Sequence, residues 1–408
     1  MTSFVIIGAG ECGARAAMTL RARGFAGDVT LIGSEPLLPY ERPPLSKAGL
    51  LRGAEPKWIA EAARYEELGI AVLTGITAIA VDRQEKTVTL SDGTTLDYDK
   101  LLLTTGARPR ELGNVASLRG HIHTLRTHAD VLALRPFLKS GRSIAILGGG
   151  FIGLELAATA RTLGASVILF EGLPRILSRG VPAEIAARIA ERHEAEGVDI
   201  RCGVKILSFE ETNAGVLIDV EGAGPVAVDA LLVGIGALPN TELAAEAGLA
   251  IENGISVDSN LRTSDSDIFA AGDCCSFPSA HFGERRLRLE SWRNAQEQGV
   301  RVAAFMMGET DSSISVPWFW SDQYDLTLQV AGLADGATAT IRRNLSEDAF
   351  ILFHLDAGGR ILAASGIGPG NSVARDIRLA EMLIAAERRP DPAALANPAI
   401  KLKQLLAA

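Results

Sequence analysis

Apolar runs that end in glycine-rich turns occur at two places in the chain. Residues 4–8 are apolar, a glycine-rich turn follows, and residues 12–24 then have helical spacing. Residues 143–164 repeat this order as SIAILGGG and FIGLELAATARTLG. A further apolar strand follows each helix, at 28–33 and at 166–172. Strand, helix and strand in this order predict a βαβ unit, so we expect two such units in one chain.

Three other stretches in the first 240 residues have an interpretable pattern. Residues 86–103 predict a hairpin: KTVTL, a turn at 91–93, and a second strand that runs through LDYDKLLLTTGA. Residues 229–236 form an apolar run that is typical of a buried strand. The proline-rich residues 36–56 are expected to break regular structure.

The pattern changes in the last third of the chain. Residues 264–273 predict a short strand that ends at Gly272-Asp273, and residues 293–308 predict a helix. From about residue 320 the chain reads as strands separated by turns. Residues 374–387 predict a last helix before a tail rich in proline and alanine.

Composition narrows the class of protein. The chain has 408 residues, which suggests two or three domains. Its net charge of −9 argues against nucleic-acid binding, and no apolar stretch is long enough to span a membrane. The chain has four cysteines without metal-site spacing, so we predict no metal centre and a reducing, cytoplasmic location; they are Cys12, Cys202, Cys274 and Cys275.

The first glycine turn has the pattern of a dinucleotide-binding site. Gly8, Gly10 and Gly13 follow a strand and open a helix, and Glu35 stands 22 residues after Gly13. The three glycines allow a tight turn, a close approach of the backbone to a pyrophosphate, and close helix–strand packing. The acid is placed to accept hydrogen bonds from ribose hydroxyls. The alternative is a tight strand–helix turn that binds no ligand.

The second glycine turn has the same pattern. Gly148, Gly150 and Gly153 follow a strand, and Glu171 stands 18 residues after Gly153. A carboxylate at this place repels a 2′-phosphate, so we predict a preference for NADH over NADPH. Arg175 is close in sequence, and an arginine could instead attract that phosphate. The alternative is again a turn without a ligand.

Two dinucleotide sites in one chain suggest FAD and NAD(P)H, since a hydride must pass from nicotinamide to an acceptor. Two further motifs, LLLTTGARPR at 101–110 and SDIFAAGDCCSFP at 266–278, resemble those of flavoproteins with two dinucleotide-binding domains. In that superfamily the second motif carries an aspartate that binds the ribityl chain, which here is Asp273. The alternative role for Asp273 is a turn or helix-cap residue.

The cysteines separate this chain from the disulfide and peroxide reductases of the superfamily, because no redox pair or single cysteine stands at the expected place. Three motifs instead resemble the FAD-dependent ferredoxin reductases of Rieske-type aromatic-ring oxygenases and some cytochrome P450 systems. They are YERPPLSK at 40–47, ESWRNAQEQG at 290–299 and PWFWSDQYDLTLQVAG at 317–332. The resemblance covers essentially the whole chain.

The resemblance implies an α/β protein with two Rossmann-like nucleotide-binding domains and a C-terminal α+β domain. A discontinuous FAD-binding domain is expected at 1–110 and 237–319. An NAD-binding domain is expected at 111–236, and a C-terminal interface domain at 320–408. NADH would reduce FAD, which would pass two electrons, one at a time, to a [2Fe–2S] ferredoxin.

The resemblance also assigns residues. Lys47 would lie near the reactive edge of the flavin, and Glu155 would face both Lys47 and the nicotinamide; a cation there stabilises a reduced, anionic flavin. Trp320 would stand between the flavin and the partner. The positions that match FAD contacts are Arg42, Pro44, Lys47, Thr105, Gly106, Arg108, Asp273, Trp292 and Trp320. The NAD site would also include Ile152, Glu155 and Gly236. The alternatives are a solvated lysine, a helix-surface acid and tryptophans that only pack in a core.

The expected partner is an acidic ferredoxin held in a transient complex, which requires a local basic patch. Candidate arginines are Arg285, Arg286, Arg288, Arg293, Arg342, Arg343, Arg375 and Arg378, and the alternative is a solvated hairpin edge. A rubredoxin reductase, a general NADH:acceptor diaphorase and an NADH-sensing flavoprotein similar to apoptosis-inducing factor remain alternative functions. The chain could be a monomer or a homodimer.

Overall fold

The structure is a computed structural model that describes residues 2–52, 55–112, 120–310 and 315–407. The chain divides into two compact units, which are described separately. The first unit comprises Met1–Arg42, Pro56–Arg108 and Ala237–Ser315. The second unit comprises Pro43–Glu55, Pro109–Gly236 and Val316–Ala408.

A five-stranded parallel sheet forms the centre of the first unit. Its strands, in spatial order, are Ile268–Ala270, Lys100–Leu103, Ser3–Ile7, Asp28–Gly33 and Ile70–Thr74. Residues 4–7 are all buried, because both faces of a parallel sheet are covered and its strands are therefore continuously apolar. The helices of this unit are Glu11–Ala22, Ala62–Glu67, Glu242–Glu246 and Trp292–Met306.

Smaller sheets complete the first unit. Three antiparallel strands form one of them: Ala78–Asp82, Thr87–Leu90 and Thr95–Asp97. A second sheet contains Ile255–Ser256, Cys275–Ser279 and Arg285–Leu287. A two-stranded pair contains Ala107–Pro109 and Ala237–Pro239.

The predicted second strand of the 86–103 hairpin is wrong. The hairpin ends at Asp97, and Lys100–Leu103 pairs with Ser3–Ile7 in the central parallel sheet. Asp99 separates the two strands, because its carboxylate accepts a hydrogen bond of 2.7 Å from the Ser3 amide. One stretch whose pattern predicts a single strand therefore belongs to two different sheets.

A second five-stranded parallel sheet lies in the second unit. Its strands, in spatial order, are Val198–Cys202, Ser166–Glu171, Ser143–Leu147, Ala230–Val233 and Ile122–His123. Three antiparallel strands follow in the same unit: Ile206–Glu211, Val216–Val220 and Gly224–Val228. The helices of this part are Ala48–Arg52, His128–Leu134, Phe151–Thr162 and Ala183–Ala195.

The end of the second unit is an antiparallel sheet with helices packed on it. Its strands, in spatial order, are Trp318–Gln323, Leu326–Gly332, Ile361–Pro369, Phe350–Leu355 and Ala339–Asn344. The helices are Ala374–Ala385, Pro392–Ala396 and Leu402–Ala407. Arg343 is buried and donates to the carbonyl oxygens of Leu395 and Asn397, which ties the tail to the sheet.

Residues 36–56 are more regular than predicted. They contain a 3₁₀ turn at Pro43–Ser46 and the helix Ala48–Arg52, while residues 53 and 54 lie outside the described part. Proline fits the start of such a turn because its fixed φ and missing N–H cost nothing there.

The α/β class with parallel, Rossmann-like sheets and a C-terminal α+β part is confirmed. Across the described residues, no helix is long and apolar enough to cross a membrane.

Candidate functional site

The backbone of the first glycine turn is fixed by its neighbours. Gly8 has φ +115°, and a Cβ added there would lie 2.1 Å from the Thr104 carbonyl oxygen. A Cβ on Gly13 would lie 2.1 Å from the Gly8 carbonyl oxygen. A Cβ on Gly10, however, would meet nothing within 4 Å. Two glycines are therefore required for packing, and the middle one leaves open space at the start of helix Glu11–Ala22.

Glu35 lies beyond the first turn and has side-chain partners. The strand Asp28–Gly33, whose bounds agree with the predicted 28–33, ends two residues before it. The Glu35 carboxylate accepts a hydrogen bond of 2.6 Å from Arg42 and another from the Tyr40 hydroxyl. The Arg42 guanidinium also stacks on the Tyr40 ring, 5.1 Å from its centroid. The acid and the arginine of the predicted FAD site thus form one ion-paired group.

A cavity of about 360 Å³ opens beside this turn. Its lining includes Gly8, Ser34, Thr105 and Asn240. The Thr105 hydroxyl donates to the Asn240 carbonyl oxygen at 2.6 Å, and Arg108 donates to the Asn240 side chain at 2.9 Å. Gly106 is left-handed, with φ +69°, which suits a sharp turn after the strand. The predicted Thr105, Gly106 and Arg108 therefore lie at one wall of this cavity or next to it.

The turn that carries Asp273 is held by the helix Trp292–Met306. Asp273 is partly exposed in the 3₁₀ turn Gly272–Cys274. The Gly272 amide donates to the Gln298 side chain at 2.7 Å. A Cβ on Gly299 would lie 2.6 Å from the Cys12 carbonyl oxygen, so this glycine lets the helix pack against Glu11–Ala22. Trp292 is the first residue of the same helix.

The cysteines of this unit are buried thiols. All four cysteines of the chain are free thiols, and Cys12, Cys274 and Cys275 are buried. Burial, reinforced by the neighbouring cysteines and Asp273, raises the pKa of Cys12 well above its ordinary value. Burial likewise raises the pKa values of Cys274 and Cys275. These thiols stay protonated at neutral pH, which agrees with the predicted packing role.

The second glycine turn has the same backbone geometry as the first. Gly148 has φ +109°, and an added Cβ would lie 2.3 Å from the Gly234 carbonyl oxygen. A Cβ on Gly153 would lie 2.2 Å from the Gly148 carbonyl oxygen, while one on Gly150 would meet nothing within 4 Å. The open space lies at the start of helix Phe151–Thr162.

Glu171 is held by main-chain amides. Its carboxylate accepts from the Gly149 amide at 2.7 Å and from the Leu173 amide at 2.8 Å. Arg175 donates to the carbonyl oxygens of Ile176, Leu177 and Val181 at 3.0–3.1 Å. In this structure the Arg175 side chain is bound to the loop that follows the acid.

Two further predicted NAD residues border this turn. Ile152 is 46% exposed, in the first turn of helix Phe151–Thr162. Gly236 follows strand Ala230–Val233 with φ +109°, and its carbonyl oxygen accepts from the Arg110 amide at 2.8 Å. Both flank the carboxyl ends of parallel strands, where nucleotides bind in sheets of this kind.

Lys47 and Glu155 form an ion pair within the second unit. The Lys47 Nζ lies 3.1 Å from Glu155 Oε1 and 3.5 Å from Asp322 Oδ2. Lys47 directly follows the turn Pro43–Ser46, and its amide donates to the Pro44 carbonyl oxygen at 3.0 Å. Glu155 is 5% exposed and also accepts from the Ser46 hydroxyl at 2.5 Å. A buried carboxylate needs such partners, since an unpaired one would be costly.

The strand Trp318–Gln323 contributes to this group from both faces. Trp320 stacks on Trp318 with ring centroids 5.3 Å apart, and its indole N–H donates to Asp322 at 2.9 Å. The Lys47 Nζ lies 5.4 Å from the centroid of the Trp320 ring. On the other face, the Ser321 hydroxyl donates to Glu155 at 2.6 Å. The structure thus brings Lys47, Glu155 and Trp320 together.

Most of the candidate docking arginines have partners within the chain. In the 283–293 stretch, Arg286 pairs with Glu252 and Arg293 pairs with Glu297. Further pairs join Arg288 to Glu290, Arg342 to Glu184, and Arg378 to Glu381. Arg343 is buried, whereas Arg375 is exposed. A docking patch that used these side chains would have to exchange ion pairs, so its members stay a prediction.

The sequence missed several residues of both sites. Tyr40, Asn240 and Gln298 belong to the first unit, and Ser46, Ser321 and Asp322 belong to the second. Ser321 and Asp322 stand inside PWFWSDQYDLTLQVAG, so the motif was found but the contacts of its polar residues were not. Both glycine turns fit a pyrophosphate, because each leaves open space at the amide-rich start of a helix.

Comparison with known proteins matches the whole chain. Residues 2–299 match the family described as pyridine nucleotide-disulphide oxidoreductase, and residues 318–406 match the domain described as reductase C-terminal. The chain is 42% identical over 409 residues to the anthranilate 1,2-dioxygenase system ferredoxin–NAD(+) reductase component of Burkholderia cepacia. That alignment covers 99% of this chain and 99% of the relative.

Two more similarities extend this result. The chain is 38% identical over 405 residues to the p-cumate 2,3-dioxygenase system ferredoxin–NAD(+) reductase component of Pseudomonas putida, covering 99% of this chain and 98% of the relative. Its fold matches that of the reductase in a covalent putidaredoxin reductase–putidaredoxin complex, with a TM-score of 0.93 and 35% identity. This match covers 100% of this chain and 98% of that one.

Proposed function

The chain belongs to the pyridine nucleotide-disulphide oxidoreductase family, and we propose that it is the FAD-dependent reductase that passes electrons from NADH to the [2Fe–2S] ferredoxin of an oxygenase system. The observation that carries this proposal is the pair of glycine turns. Each has an open middle glycine and an acid of its own, as expected for two different nucleotides. The relatives' names and the reductase fold support the ferredoxin as acceptor.

FAD and NADH are the cofactors of this family, and the residues present fit both. Bound FAD would supply the conversion of a two-electron donor into single-electron transfer. We propose that Gly10 and Gly13, with Glu35 and Arg42, hold FAD through its pyrophosphate and ribose. Gly150, Gly153 and Glu171 would hold NADH in the same way.

The proposal gives Lys47 and Glu155 an electrostatic role. Glu155 fixes the Lys47 ammonium through the 3.1 Å ion pair, and a fixed cation stabilises negative charge that develops on a nearby group. The family resemblance assigns that cation to the reactive edge of the flavin. No side chain has to act as a nucleophile, so the chain contributes position and charge.

The domain assignment follows from the same proposal. Residues 1–110 and 237–319 would bind FAD, residues 111–236 would bind NADH, and residues 320–408 would form the interface domain. We place the protein in the cytoplasm, because its cysteines are free thiols and such thiols are typical of a reducing compartment.

NADH-driven reduction of cytochrome c tests this function. We expect a slow rate for the reductase alone and a rate at least about tenfold higher once a [2Fe–2S] ferredoxin from an oxygenase system is added. The matched arm replaces the ferredoxin with rubredoxin, and stimulation by rubredoxin alone would indicate a rubredoxin reductase. A lack of stimulation by any ferredoxin would contradict the proposal. Tight NADH binding with negligible turnover would instead indicate a sensor.

A further inference from the structure

A chain of buried polar side chains leads away from the Lys47–Glu155 pair. Its members are Ser321, Gln323 and His193, which are exposed by 1%, 3% and 0%. None of them was singled out from the sequence. Ser321 and Gln323 are two residues apart on one face of strand Trp318–Gln323, as the period of a strand requires. His193 lies in the last turn of helix Ala183–Ala195.

The contacts along this chain are short and continuous. The Ser321 hydroxyl donates to Glu155 Oε1 at 2.6 Å. Gln323 Nε2 donates to the Ser321 oxygen at 3.1 Å, and Gln323 Oε1 lies 2.8 Å from His193 Nε2. The Tyr324 hydroxyl lies 3.4 Å from His193 Nδ1 and ends the sequence of contacts. All these residues belong to the second unit.

The donors of this chain all point toward Glu155. Since Gln323 Oε1 can only accept, His193 must carry a proton on Nε2. Burial lowers the pKa of His193, so the imidazole is neutral near pH 7 and its Nδ1 is an acceptor. The Glu155 carboxylate can only accept, so Ser321 donates its proton there and the NH₂ group of Gln323 faces the Ser321 oxygen. The Ser321 oxygen is then occupied as an acceptor, and its single proton is directed to the carboxylate.

The opposite orientation would remove a partner from Glu155. With the Gln323 amide reversed, its oxygen would face Ser321 and compete with Glu155 for the only Ser321 proton. His193 would then face an NH₂ group and would need its proton on Nδ1. The arrangement therefore has two hydrogen-bonded states, and the His193 tautomer selects the one that supports the Glu155 carboxylate.

We propose that Gln323 and His193 are positioning residues for the reaction: they direct the Ser321 hydroxyl onto Glu155 and so fix the carboxylate that holds Lys47. The inference rests on the proposed function, in which Lys47 and Glu155 act on flavin reduction. If Gln323 and His193 only stabilised the fold, the effect of replacing them on the reaction rate would not depend on Glu155. The positioning role and the stabilising role therefore predict different results in a variant in which Glu155 is already neutral.

A double-mutant cycle tests this link. The variants are Gln323→Met, which keeps the length of the side chain, Glu155→Gln, and the two combined. The measured quantity is the anaerobic rate constant of flavin reduction at saturating NADH. We expect Gln323→Met to lower it by about tenfold in the wild-type background, because Ser321 loses the donor that directs its hydroxyl onto the charged Glu155 carboxylate. In the Glu155→Gln background the same change should have less than about a twofold effect.

His193 supplies a second test if Gln323→Met does not fold. His193→Leu removes the Nε2 donor and should reproduce the tenfold loss, whereas His193→Gln keeps a donor near the same place and should restore most of the rate. Arg188→Gln is the matched control. Arg188 lies on the same helix as His193 but pairs with Asp348, outside the chain of contacts, and its loss should leave the rate unchanged.

A readout without turnover tests the premise. The ¹⁵N spectrum of the imidazole nitrogens, assigned with His193→Gln, should show neutral His193 protonated on Nε2. An Nδ1-protonated His193, or an equal loss from Gln323→Met in both backgrounds, would overturn the inference. Failure of the function itself is seen separately, because the wild-type protein would then not be reduced by NADH at all.

Discussion

The two glycine turns have nearly the same backbone and different acids. Gly8 and Gly148 have φ values of +115° and +109°, and in both turns only the middle glycine has free space for a side chain. Glu35, near the first turn, is paired with a cation and a phenol, Arg42 and Tyr40. Glu171, near the second, accepts only main-chain amides among its described contacts.

The proposed function locates nucleotide specificity in this difference. Each turn offers a pyrophosphate cradle that any dinucleotide can use. We propose that the two acids distinguish the nucleotides, and that the uncompensated Glu171 carboxylate repels a 2′-phosphate and so favours NADH. Variants that alter one turn and leave the other intact test this difference.

The largest effect should come from reversing the charge at the second turn. Glu171→Ala with Gly172→Arg removes the repulsive carboxylate and adds a cation. A Cβ on Gly172 has no neighbour nearer than 3.8 Å, so the backbone accepts the arginine. We expect the ratio of kcat/KM for NADH to that for NADPH to fall by about 100-fold, the sum of a lost charged hydrogen bond and a new one.

Steady-state kinetics with both coenzymes measure this ratio. FAD content is the internal control and should stay at one per chain, since the first turn is untouched. An unchanged ratio would mean that Glu171 does not contact the ribose.

A smaller effect should follow from removing the cation at the first turn. Arg42→Met leaves the Glu35 carboxylate bonded to the Tyr40 hydroxyl but removes its charged partner from the predicted FAD site. We expect FAD to dissociate about tenfold more readily, while the Kd for NADH is unchanged.

Flavin release, measured by fluorescence on dilution, reports this change. Arg23→Met is the matched control, because Arg23 pairs with Glu309 outside the turn. If NADH bound more weakly while FAD was retained normally, the assignment of FAD to the first turn would be wrong.

Arg175 should affect stability and not coenzyme choice. Arg175→Met removes three hydrogen bonds to carbonyl oxygens of its loop. We expect about 2 kcal/mol less free energy of unfolding and less than a twofold change in the NADH to NADPH ratio. Urea unfolding measures the free energy of unfolding, and steady-state kinetics with each coenzyme measure the NADH to NADPH ratio. Arg179→Met, at an exposed residue of the same segment, is the control. A gain or loss of NADPH use would show that Arg175 contacts the phosphate.

The smallest effect concerns Cys12, which stands where the second turn has Ile152. Its raised pKa keeps the thiol protonated as pH rises through neutrality, so it should not react with iodoacetamide in the folded protein at pH 8. Cys12→Ala should leave flavin reduction within about twofold of wild type. Rapid alkylation that abolishes flavin reduction would contradict a packing role.

The sequence predicted features whose parts are close together in the chain. Each glycine turn and its acid fall within about 30 residues, so spacing alone carried the assignment. The support of Glu155 was not predictable in this way, because Ser46, Ser321 and His193 come from three distant segments. The contacts of Arg175 could not be predicted either, because its acceptors are main-chain carbonyl oxygens, which every residue type carries.

The prediction of one continuous strand through Asp97 failed for a related reason. Leu96 and Tyr98 alternate with Asp97 and Asp99 and lead into the apolar residues 101–103, so the pattern reads as one strand. Asp99 is hydrogen-bonded to Ser3, 96 residues away, where the pairing with the central sheet begins. A local pattern does not contain such a distant partner, so it cannot distinguish one long strand from two strands in different sheets.

The central claim is that the first turn holds FAD and the second holds NADH, and one matched pair of variants tests it directly. Gly10→Asp and Gly150→Asp each place a carboxylate in the open cradle, at an extended N-cap position where aspartate suits the helix. Flavin content and anaerobic reduction by NADH and by dithionite are measured for both. We predict that Gly10→Asp purifies folded but without FAD. Gly150→Asp should keep FAD that dithionite reduces and NADH does not. Loss of FAD from Gly150→Asp, or normal NADH reduction of it, would contradict the assignment.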